Sequence, residues 1–66
     1  MNKYQRLVVK WFCETGQNFI SDIAELEGGF DGVPDEVFDA FGKLSYKEQI
    51  EVIKEAANKL LSKTSA

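Results

Sequence analysis

The sequence predicts an all-α protein, a small bundle of three helices, or four if the first breaks at Gly16. Three observations carry that prediction. Apolar residues recur at helical spacing, and no window alternates apolar and polar residues as a half-buried strand does. Residues that start and stop helices stand at the ends of the periodic runs.

The last helix is the clearest. Ser45-Tyr46-Lys47-Glu48 has the capping-box pattern, in which the serine oxygen accepts from the Glu48 amide and Glu48 reaches back to the Ser45 amide. Beyond it Tyr46, Ile50, Ile53, Ala57, Leu60 and Leu61 form an apolar stripe, with charged residues opposite, which predicts a helix from Tyr46 to about Leu61. A shorter helix is predicted from Pro34 to Phe41. Proline suits a first turn, Asp35 and Glu36 are stabilised there by the helix dipole, and Gly42 is read as a left-handed stop.

The first segment is broader. Tyr4, Leu7, Val8, Trp11, Phe12, Phe19, Ile23 and Leu26 make one ridge ending at Gly28-Gly29, and Val9, Cys13, Gly16, Ile20 and Ala24 make a second beside it. So wide an apolar face is either sandwiched between the other helices or shared with another molecule. Gly16 costs roughly 1 kcal/mol against alanine, which permits a continuous helix, and one long helix with a kink is the favoured reading. Gly28 to Gly32 reads as the main loop, with Phe30 as an anchor under the helices. The whole chain, 1–66, is one domain, and 62–66 is expected to fray.

At 66 residues the chain buries only about 60% of its unfolded surface, so it needs dense packing or association. Cys13 is the single cysteine and there is no histidine, which leaves no intrachain disulfide and no structural zinc site. A free thiol and the lack of a leader or apolar span point to a reducing cytoplasm and no membrane partner.

Searching for chemistry returns little. A calcium loop starting at Asp31 would put Val33 at its third position and Gly42 at its twelfth, so it fails. Cys13 has Glu14 beside it and no histidine to act as base, so it reads as a packing residue. The glycine pairs match neither a phosphate loop nor a dinucleotide fingerprint. No catalytic residue, cofactor or metal is expected. Trp11 lies on the main apolar ridge and reads as core, leaving Tyr4, Phe30 and Tyr46 as candidate exposed aromatic contacts.

Charge is segregated. No lysine or arginine occurs between Trp11 and Gly42, while that stretch holds Asp22, Glu25, Asp35, Glu36 and Asp39 among its acids. A solvated surface is the plain explanation. The sharper one is an acidic face that docks on a basic protein surface. Function is therefore expected to be non-enzymatic protein binding, as a small adaptor, inhibitor or regulator; the size also fits an inhibitor encoded by a phage or mobile element. Two alternatives remain. Lys3, Arg6 and Lys10 line one side of the first helix and could contact nucleic acid, although the net charge of −3 makes that partner less expected. The wide face of the first helix could also drive self-assembly, as a homodimer or a structural component.

Overall fold

The computed structural model describes residues 1–15, 19–28 and 32–64. They form four helices, with no strand among the described residues: α1 Lys3–Thr15, α2 Phe19–Gly28, α3 Asp35–Gly42 and α4 Tyr46–Thr64. The favoured single long helix is thus two, α1 ending at Thr15 and α2 starting at Phe19; Gly16 itself lies outside the described residues, as does Phe30. Helix continuity was the weaker force here. A glycine mid-helix is costly, whereas two helices can pack on one another. The Phe12 and Phe19 rings do so, edge to face at 5.1 Å.

The helix α1 is the element the other three share, packing on α2, α3 and α4. Its wide apolar face is accordingly used inside the protomer, with Val8, Val9, Trp11 and Phe12 all buried. On α1 that apolar face is covered, whereas Ile20, on the second ridge, is 73% exposed on α2. Trp11 is core, as expected, stacked at a tilt on Phe12.

Two capping boxes anchor the start of the bundle. At α4 the Ser45 amide donates to Glu48 Oε1 at 2.9 Å, and the Glu48 amide donates to Ser45 Oγ at 3.2 Å. At α1 the Asn2 amide donates to Gln5 Oε1 at 3.0 Å, and the Gln5 amide donates to Asn2 Oδ1 at 2.9 Å. The boxes are also joined to each other. Asn2 Nδ2 donates to Glu48 Oε2, and Gln5 Nε2 donates to the Glu48 carbonyl and to Glu51 Oε1. With their starts tied together, α1 and α4 run side by side in the same direction.

The apolar stripe of α4 is placed differently from its expected position. Val52 and Ala56, both fully buried, face the core, while Tyr46 is 78% exposed, Ile50 49% and Leu61 64%. Cross-bracing through Gln5 sets the rotation of α4, and it turns the Tyr46–Ile50–Leu61 line outward. The helix also runs through Thr64, taking in Ser62 and Lys63 from the expected frayed tail.

Corrections also fall on α3. Pro34 is its N-cap rather than its first residue, its carbonyl accepting from the Val37 and Phe38 amides. Gly42 is the last helical residue and not a left-handed stop. Lys43, in right-handed conformation, ends the helix by donating its amide to the Asp39 and Ala40 carbonyls. A left-handed turn is unnecessary because the Phe41 carbonyl accepts from the Leu44 amide at 3.1 Å and from Gln49 Nε2 of α4, also at 3.1 Å.

Candidate docking surfaces

The acidic residues singled out in the sequence separate into three environments. Asp35, Glu36 and Asp39 are exposed on α3, which turns Val37 and Ala40 into the core. Asp22 is buried at 9% and has internal partners, so it is withdrawn from any docking face. Glu25 is half-buried and turned toward the backbone after the α2 loop: a Cβ on Gly32 would sit 3.0 Å from Glu25 Oε2. The acidic face in the structure is therefore α3, narrower than the expected set.

Beside those acids stands Phe38, 44% exposed. Helical spacing puts Asp35 one turn before it and Asp39 next round the helix on the same side, so carboxylates border the ring along one side. Phe38 was not among the candidate aromatics. Its place on the short apolar edge Val37-Phe38-Phe41 made it look like core, and an eight-residue helix can bury only part of such an edge.

Among the candidate aromatics, Tyr46 is largely exposed and Tyr4 is half-buried under two cations, Lys3 Nζ at 5.2 Å and Lys43 Nζ at 5.0 Å from its ring centre. Phe30 lies outside the described residues.

A second surface has the opposite charge. An open groove of about 800 Å³ lies between α1 and α4, with Val9 and Cys13 along its base. Arg6 and Lys10 stand on the α1 wall and Lys59 and Lys63 on the α4 wall, with Glu55 the one carboxylate among the described residues of the lining. Lys10 Nζ also approaches Glu14 Oε1 at 3.7 Å, an exposed pair on one helix that holds neither side chain firmly. Cys13 is half-buried in this wall, in the packing role its sequence context suggests.

The two surfaces lie on different sides of α1. A small cleft lined by Leu7, Lys10, Trp11, Pro34 and Glu36 marks the α3 side, Val9 and Cys13 mark the α4 side, and Lys10 borders both. A chain with a modest net charge thus presents one acidic and one basic surface.

In comparison with known proteins, the chain matches no family model, no curated protein and no solved structure. Among the described residues, no helix is long and apolar enough to cross a membrane.

Proposed function

We propose that this chain is a non-enzymatic protein-interaction module that docks through α3 on a basic surface. The observation that carries the reading is Phe38, an aromatic ring 44% exposed on the helix that also displays Asp35, Glu36 and Asp39. Apolar anchors supply most of the energy at interfaces, while surrounding charge speeds encounter and selects the partner. An exposed ring with carboxylates beside it offers both on one short helix.

The test is affinity capture from native extract with the wild type, with Phe38→Ser, and with the neutralised variant Asp35→Asn/Glu36→Gln/Asp39→Asn. A partner should be retained by the wild type, lost by both variants and slowed in its association as salt rises. An association rate that does not change between low and physiological salt would sink acidic docking.

A further inference from the structure

We propose that a second copy of this chain seats its α3 acidic face in the α1–α4 groove, so that molecules associate head to tail. The contact uses the α3 surface already proposed for docking and names one occupant for it. Charge complementarity carries the inference. Arg6 and Lys10 form one rim of the groove and Lys59 and Lys63 the other, so cations flank an apolar base from both sides. The chain's own α3 is the counterpart: Phe38 for the base, with the exposed Asp35 and Asp39 nearest to it on the helix for the cations.

Within one molecule α3 and the groove do not meet: Lys10 lines both the groove and the small cleft with Glu36, but no α3 residue is among the groove's described lining. Between molecules they can. Such a contact is heterologous: each copy uses one face as donor and the other as acceptor, leaving a free face at each end. Nucleic acid fits the groove less well. Among the described residues its lining contains no aromatic ring to stack on a base, Glu55 would repel phosphate, and the chain carries a net charge of −3.

Analytical ultracentrifugation of the full chain tests this. The average mass should climb with protein concentration at low salt and fall back toward the monomer at about 0.5 M salt, where the Debye length is only a few ångströms. Two variants each remove one face: Arg6→Gln/Lys59→Gln neutralises two cations of the groove, one on each wall, without creating an acidic site, and Glu36→Lys/Asp39→Lys spoils the acidic helix. Each alone should remain monomeric with an unchanged helical circular dichroism spectrum. Mixed, they should form a one-to-one complex and nothing larger, since each retains the face the other lacks. That pairing cannot come from variants that merely misfold.

A wild type that stays monomeric at every concentration overturns the proposal. So does association that persists in both variants, which would place the contact on another surface such as the exposed line of α4. Retardation of a DNA oligonucleotide by a chain that does not self-associate also overturns it, assigning the groove to nucleic acid. If the chain stays monomeric while Glu36→Lys/Asp39→Lys loses a foreign partner, head-to-tail association fails and acidic docking stands. If no foreign partner binds through α3 either, both fail.

Discussion

Gln5 does more for this fold than any charged residue, and it does so with one amide group. Its oxygen accepts from the Asn2 amide and so caps α1, while its nitrogen donates to the Glu48 carbonyl and to Glu51 of α4. The side chain is 3% exposed, so water cannot readily replace those bonds. Gln5→Ala should lower stability by about 1.5 kcal/mol, measured by urea denaturation. Gln5→Glu separates capping from bracing. It retains an acceptor for the Asn2 amide but loses the donor and sets a carboxylate against Glu51. It should therefore be at least as destabilising as the alanine; a neutral effect would mean that only the cap counts. The pattern Asn2-x-x-Gln5 before Leu7-Val8 is a legible helix start of the same kind as Ser45-x-x-Glu48. What the sequence cannot show is that the two caps meet, since 46 positions separate Gln5 from Glu51.

At the scale of elements, periodicity located the helices better than it oriented them. The apolar residues of α4 cover a wide arc, with Val52 and Ala56 on one part and Tyr46, Ile50 and Leu61 on another. Hydrophobicity alone ranks the larger residues as core. The observed rotation follows instead from the Gln5 and Asn2 bonds, which come from a distant part of the chain. The end of α3 shows a similar limit. A glycine before a new helix start suggests a left-handed stop, but here the Lys43 and Leu44 amides close the helix and Gln49 adds a second donor to the Phe41 carbonyl. This makes Gly42 replaceable. A Cβ built on it meets nothing within 4 Å, and the residue is helical. Gly42→Ala should thus raise stability by about 0.5–1 kcal/mol, through higher helix propensity and a less flexible unfolded chain. A left-handed Gly42 would give the opposite sign, so one thermal melt of the variant against wild type decides between them.

The whole molecule is organised around α1, and that arrangement explains what composition alone suggested. A wide apolar face on the first helix is the face of an element with three neighbours. Charge segregation was also legible along the chain, but the groove was not: Arg6 and Lys10 meet Lys59 and Lys63 only because α1 and α4 run parallel. The same arrangement makes stability uneven. Bonds between side chains join α1 to α4 at their starts, and Gln49 joins α4 to the end of α3. The helix α2 packs on α1 through buried Leu26 and the Phe19 ring on Phe12, with the buried Asp22 also partnered, but its contact with α1 is slighter than those of α3 and α4. An element with slighter contacts can open while the others stay folded. Native-state hydrogen exchange should therefore show the amides of Val8, Phe12, Val52 and Ala56 exchanging only through global unfolding. Those of Ile23 and Leu26 should exchange roughly tenfold faster or more, through an opening that exposes little surface and responds weakly to denaturant. Equal protection in all four helices would show that α2 is bound into the bundle as tightly as α4.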